Sequence, residues 1–265
     1  MKTKSILLFF ITIASFSFIA DELPQKLNGV FQQKRNKYGN MKVWTNTENQ
    51  KIIKVFKDGY WLSAFYDNTR PAKKLFNGVC GGTYQLRDGK YLEKVAFYSW
   101  DSTAVGKVFA FNYQIDTKNF KQFGVMNSEK YKNYPINEES ERIITHELLK
   151  NNTLEGVWFM ESGYWGGKTR FGEGEYKGSK VVKIFCYPIV VYAYYQPKTK
   201  KFQGAGGAFY QFDGKTLTET NEFYSWDSTK REQTEKFQIA LVNGKLQQES
   251  ADWANMKEIY GKATH

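Results

Sequence analysis

Phe97-Tyr98-Ser99-Trp100-Asp101-Ser102-Thr103 recurs unchanged as Phe223-Tyr224-Ser225-Trp226-Asp227-Ser228-Thr229, 126 positions later. Seven identical residues, one of them Trp, mark an internal duplication. The surroundings repeat too. Gly81-Gly82-Thr83-Tyr84 with Asp88-Gly89-Lys90 matches Gly206-Gly207-Ala208-Phe209 with Asp213-Gly214-Lys215, and Leu27-Asn28-Gly29-Val30-Phe31 matches Leu154-Glu155-Gly156-Val157-Trp158. Val55-Phe56 pairs with Ile184-Phe185, and Ala64-Phe65-Tyr66 with Ala193-Tyr194-Tyr195. The chain of 265 residues therefore divides into unit one, residues 27–147, and unit two, residues 154–265, joined by a polar linker at 148–153. Each unit has the size of an ordinary domain with its own core.

The pattern within a unit is that of strands and tight turns. Asp88-Gly89, Asp213-Gly214 and Asn243-Gly244 lie between alternating segments, which is the strongest short-range signal of a β-hairpin. Aromatic residues make up 17% of the chain and Pro only 5 residues, which favours strand over helix or disorder. From Ile189 to Tyr195 both faces of the predicted strand are apolar or aromatic: Ile189, Val191, Ala193 and Tyr195 on one, Val190, Tyr192 and Tyr194 on the other. Such a strand lies between two layers or lines an apolar cavity. The expected fold is all-β, two tandem small antiparallel barrels of about eight strands each, with a two-sheet sandwich as the alternative.

The residues at the ends of each unit resemble those of lipocalin-like (calycin) barrels, in particular the secreted bacterial lipocalin-like domains. Gly156-Val157-Trp158 is similar to their opening glycine-x-tryptophan strand. Tyr195 to Phe202, followed by Gly204-Ala205-Gly206-Gly207, is similar to the next part of that group. In calycins a closing arginine packs on the opening tryptophan. Here unit one has Phe31 with Arg142 and unit two Trp158 with Lys262, so each unit keeps one member of the pair. The resemblance implies that these four residues close the barrels, and that a barrel can hold a small apolar or amphipathic molecule.

On a strand Tyr98 and Trp100 share a face, as do Tyr224 and Trp226. With Tyr192 and Tyr194 they are the candidate ligand-binding residues, an aromatic wall carrying hydroxyl and indole N–H groups. The competing role for the repeated heptapeptide is core packing, with Asp101 and Asp227 making turn hydrogen bonds. Glycoside chemistry at these aspartates would need a second carboxylate, and Glu93, Glu219 and Glu222 are not expected to supply a consistent repeated one. Only two histidines occur, His146 and His265, neither at a repeated position, so no His-based triad or metal site is expected. No cofactor, metal or catalytic residue is predicted, and the chain is read as non-enzymatic. Cys80 and Cys186 occupy non-equivalent positions; buried free thiols are expected rather than a disulfide.

Residues 1–20 have the form of a signal peptide, with Lys2 and Lys4 ahead of an apolar run from Ile6 to Ile13 and small residues at Ser17 and Ala20. Export to the periplasm or beyond is the expectation, with no transmembrane span afterwards. The net charge of +11 is carried by 38 basic residues, only six of them Arg. This argues against nucleic-acid recognition, where Arg is the preferred reader of phosphates and base edges. Residues 21–150 hold 21 basic and 14 acidic side chains, a net of +7, whereas residues 151–265 net +2. The excess is therefore not a requirement of the shared architecture. It allows a second role, in which packed barrels serve as an envelope or extracellular module and the basic first unit docks on lipid head groups or acidic glycans.

Overall fold

The computed structural model describes residues 27–67, 76–143, 152–166, 169–250 and 255–264. The expected signal peptide, most of the linker, and both histidines lie outside them. In unit one the strands are β1 (Gly29–Tyr38), β2 (Thr45–Asn46), β3 (Gln50–Lys57), β4 (Tyr60–Asp67), β5 (Phe76–Arg87), β6 (Lys90–Tyr98), β7 (Val108–Ile115), β8 (Asn119–Met126) and β9 (Tyr134–Arg142). Unit two repeats them as β10 (Gly156–Trp165), β11 (Thr169–Arg170), β12 (Lys180–Cys186), β13 (Ile189–Gln196), β14 (Lys201–Phe212), β15 (Thr216–Tyr224), β16 (Thr234–Val242), β17 (Lys245–Ser250) and β18 (Lys257–Lys262).

Each unit is an antiparallel meander whose last strand returns to its first, β9 to β1 and β18 to β10. That return pairing closes eight strands into a barrel and excludes the two-sheet sandwich; β2 and β11 are short additions at the edge of β1 and β10. Closure leaves no long unpaired edge among the described strands. Tight turns set the register. At Asp58-Gly59, Asp88-Gly89 and Asn243-Gly244 both central residues have positive φ, the mirror-image turn that suits the twist of a two-residue hairpin. The Asp213 turn works differently, with its carboxylate accepting from the backbone N–H groups of Lys215 and Thr216.

The strand registers correct one detail of the repeat. Leu62 faces Gly81 and Val191 faces Gly207, so the glycine pairs align one residue away from their sequence match: Gly81 corresponds to Gly207, and Cys80 to Gly206. The two aspartate turns are displaced likewise, with Leu86 opposite Tyr91 and Phe212 opposite Leu217.

At each seam a cation lies on a ring. Phe31 pairs with Arg142 and Trp158 with Lys262; the Arg142 guanidinium sits 4.4 Å from the Phe31 centroid and the Lys262 ammonium 5.5 Å from that of Trp158. Arg142 also donates to the carbonyls of Asn28 (2.6 Å) and Thr117 (3.1 Å), tying three segments together.

The doubly apolar strands have a specific cause. Val190 and Tyr194 of β13 point into their own barrel, while Ile189, Val191, Ala193 and Tyr195 pack with Val55, Leu62, Ala64, Tyr66 and Phe97 of the other unit in one continuous core. The contact is isologous. Tyr66 packs on Phe223 (5.1 Å between centroids) and its counterpart Tyr195 on Phe97 (4.9 Å), while the equivalent residues Phe76 and Phe202 stack on each other at 6.2 Å and 17°. A residue meeting its own counterpart marks a pseudo-two-fold axis, the geometry of a symmetric dimer written into one chain. Around it Lys51 and Tyr66 reach Glu222 (2.5 and 2.9 Å), and Lys57 reaches Glu155 (2.7 Å).

Cys80 is buried within barrel one and Cys186 in the shared core; both are free thiols. Burial pushes the Cys80 thiol well above its usual range and Cys186 up to about 12, which keeps both protonated and unreactive.

If this core joins the units, Tyr195→Ala, which removes the ring packed against Phe97, lowers stability by about 3 to 5 kcal/mol in urea denaturation. A loss under about 1 kcal/mol would show that the barrels are only tethered.

Candidate functional site

Each barrel encloses a cavity. In unit two it has a volume of about 280 Å3 and in unit one about 270 Å3, near the lower end of small-molecule sites. All six residues singled out from the sequence line them: Tyr98 and Trp100 in unit one, Tyr192, Tyr194, Tyr224 and Trp226 in unit two. The heptapeptide builds both the wall and its support. Trp100 meets Tyr98 at 5.4 Å and Trp226 meets Tyr224 at 4.9 Å. Their indoles lie against Gly78 and Gly204, where a Cβ would stand 2.1 and 2.0 Å from the ring, so only glycine admits them. Asp101 and Asp227 face away from the cavities and cap short 3-10 turns by accepting from the Thr103 and Thr229 backbone N–H groups, both at 2.9 Å. The turn-forming role of the aspartates and the cavity-lining role of the aromatics thus coexist in one motif.

The cavity floors hold what the sequence did not announce. In unit one Lys54 Nζ donates to Glu93 (2.5 Å) and Gln122 (2.6 Å) and lies 3.9 Å from Glu138. In unit two Lys183 Nζ donates to Gln248 (2.7 Å) and lies 3.1 Å from Glu219, with Glu258 at the position equivalent to Glu138. Glu93 and Glu219 are therefore a repeated buried carboxylate, contrary to the expectation that Glu93, Glu219 and Glu222 supply none; Glu222 instead lies between the barrels. The spacing carried the signal: Glu93 to Glu219 and Gln122 to Gln248 are both 126 positions, the interval of the heptapeptide.

Electrostatics inside the barrels follow from burial. Desolvation alone would lower the pKa of the Lys54 ammonium, but the Glu93 and Glu138 carboxylates outweigh it and hold the group above its ordinary value. Burial pushes the carboxyls of Glu138 and Glu219 up, with Lys54 and Lys183 respectively opposing the shift. The hydroxyls of Tyr192, Tyr194 and Tyr260 are raised well above the usual range, first by burial, and so remain neutral donors at physiological pH.

The mouths differ between units. The glycine-rich stretch of unit two forms the β10–β11 hairpin and a 3-10 turn at Gly174–Tyr176. These bring Trp165 and Tyr176 (5.2 Å apart) onto the wall beside Tyr194 and Trp226. In unit one Tyr38 occupies the place of Trp165 and Phe65 that of Tyr194. Among the described residues no group of three His, Cys, Asp or Glu side chains could hold a metal ion, and no helix is long and apolar enough to cross a membrane.

Removing one partner of a buried ion pair leaves a charge stranded. Lys54→Met is therefore expected to cost about 3 to 5 kcal/mol, and Lys54→Met with Glu93→Leu to recover most of it. A loss below about 1 kcal/mol for the single variant in chemical denaturation would show that the Glu93 charge is not held by Lys54. Comparison of the chain with family models and with curated proteins finds no match.

Proposed function

We propose that the chain is an exported, non-enzymatic lipocalin-like protein that binds a small apolar or amphipathic molecule in one or both barrels. The carrying observation is that the aromatic residues of the duplicated heptapeptide line a cavity in each unit, although a packed barrel would fill that space with side chains. Export is supported by the sequence of residues 1–20. A hydrophobic fluorescent dye titrated into the mature chain is expected to brighten and to be displaced by small competitors, with adducts of one or two molecules in native mass spectrometry. Absence of both dye uptake and adducts at millimolar competitor overturns this reading.

A second reading, docking of the basic first unit on anionic lipid head groups, is favoured by one patch. Met41, Val43 and Trp44 are 40%, 72% and 39% exposed around the exposed Lys42, and the Arg35 guanidinium, paired with Glu139, lies 4.8 Å over the Trp44 ring. Apolar tips among cations suit the interface of an anionic membrane. Sedimentation with phosphatidylglycerol vesicles is expected, weakening with salt and lost in Val43→Ser with Trp44→Ala. Equal sedimentation with phosphatidylcholine vesicles contradicts it.

A further inference from the structure

The unit-two cavity carries an imbalance that its fold does not require. Among the described lining residues three carboxylates, Glu219, Glu235 and Glu258, stand against one lysine, Lys183. Glu235 is compensated from outside by Lys230 at 3.5 Å, and Lys183 is taken up by Glu219 and Gln248. Glu258 is held by uncharged donors: Trp165 Nε1 at 2.8 Å, Tyr260 OH at 2.7 Å and Tyr194 OH at 3.5 Å. Both of its oxygens thus accept from neutral donors, and no ion pair joins it to a described lysine or arginine.

A second observation points the same way. Glu219 is 2% exposed, and its Oε1 is ion-paired with the Lys183 ammonium at 3.1 Å, yet no donor among the described residues reaches it in hydrogen-bonding geometry. A buried carboxylate oxygen that lacks an aligned donor has room for one supplied by a ligand. Above these carboxylates the wall is a run of electron-rich rings, Tyr176, Trp165, Tyr194, Trp226 and Tyr224, each within 6 Å of the next. Ring faces and carboxylates attract the same partner, a cation with N–H donors. The protein's surplus of basic residues makes this local reversal of sign more telling, since the cavity cannot have inherited it from the chain as a whole.

We infer that the unit-two cavity selects a small organic cation, a primary ammonium carried on an aromatic or short aliphatic body, with the ammonium at Glu219 and Glu258 and the body against Trp226. This rests on the ligand-binding reading above and names the ligand class for one barrel. Unit one is not expected to share the preference. There Lys54 approaches both carboxylates, and among the described lining residues the unpartnered buried atom is the Trp61 indole nitrogen, which is a donor.

The test compares 2-phenylethylammonium, 2-phenylethanol and 3-phenylpropionate, similar bodies with positive, neutral and negative heads, by calorimetric titration of the mature chain at pH 7. The ammonium is expected to bind at least tenfold more tightly than the alcohol, and the carboxylate most weakly. Glu258→Gln, which preserves an acceptor for Trp165, is expected to bring ammonium and alcohol within threefold. Trp226→Ala, at a position 40% exposed and so compatible with folding, is expected to weaken the ammonium about tenfold. Equal or tighter binding of the alcohol or the carboxylate by the unaltered chain overturns the inference. So does dye uptake with no binding of the ammonium, which leaves the broader ligand-binding reading standing; failure of the dye as well removes both.

Discussion

A strand that is apolar on both faces has to be covered on both, and the architecture follows from that constraint. Closing eight strands into a barrel covers one face of β3 to β6 and of β12 to β15 and leaves the other exposed. Duplication supplies the remedy, because a second copy carries the same apolar face and can meet the first across a two-fold axis. The stacking of Phe76 on Phe202, and the reciprocal pairs Tyr66 with Phe223 and Phe97 with Tyr195, are what such self-complementarity looks like within a single chain. Symmetry then decays where it is not needed. Glu222 bonds Lys51 and Tyr66 on one side of the axis, while its counterpart Ala96 borders a crevice of about 210 Å3 on the other.

With their outer faces committed to each other, the barrels are free to differ inside. Both keep a lysine, two glutamates and a glutamine on the floor, and both keep the Tyr-Trp wall. Buried ions of this kind contribute little stability compared with apolar packing of the same volume. Their persistence in both copies, in chambers that hold open space, sets the interiors apart from cores tuned only for stability. The Gly163 to Gly178 stretch then gives unit two a fuller aromatic rim than unit one.

Much of this was legible in the sequence. The heptapeptide revealed the duplication, the Asp-Gly and Asn-Gly pairs the hairpins, and the alternation of Ile189 to Tyr195 a strand buried on both sides. The charged floor was hidden by a β-bulge. Counting back in twos from Tyr98 places Ala96 and Lys94 inward and Glu93 outward, but Ala96 is an extra residue opposite Gly81 and Gly82, and it reverses the phase. Glu222 plays the same part in β15, opposite Gly207 and Ala208, and so turns Glu219 inward. Glu138 and Glu258 were obscured differently: the chain from Gln122 to Glu138 is six residues longer than that from Gln248 to Glu258, so the constant interval of 126 fails there. Lys54, one of three lysines spaced along β3, carries no local sign that it alone points into the barrel.

Each barrel surrounds an open, partly charged chamber and not a filled core. A crystal structure of the mature chain, grown without added ligand and refined with ordered solvent, tests it most directly. Waters or a co-purified molecule are expected in both chambers, with density within hydrogen-bonding distance of Glu219 Oε1 and against the Trp226 indole. Chambers closed by inward rotation of Tyr98, Trp100, Tyr194 and Trp226, with no space for a solvent molecule, would contradict it.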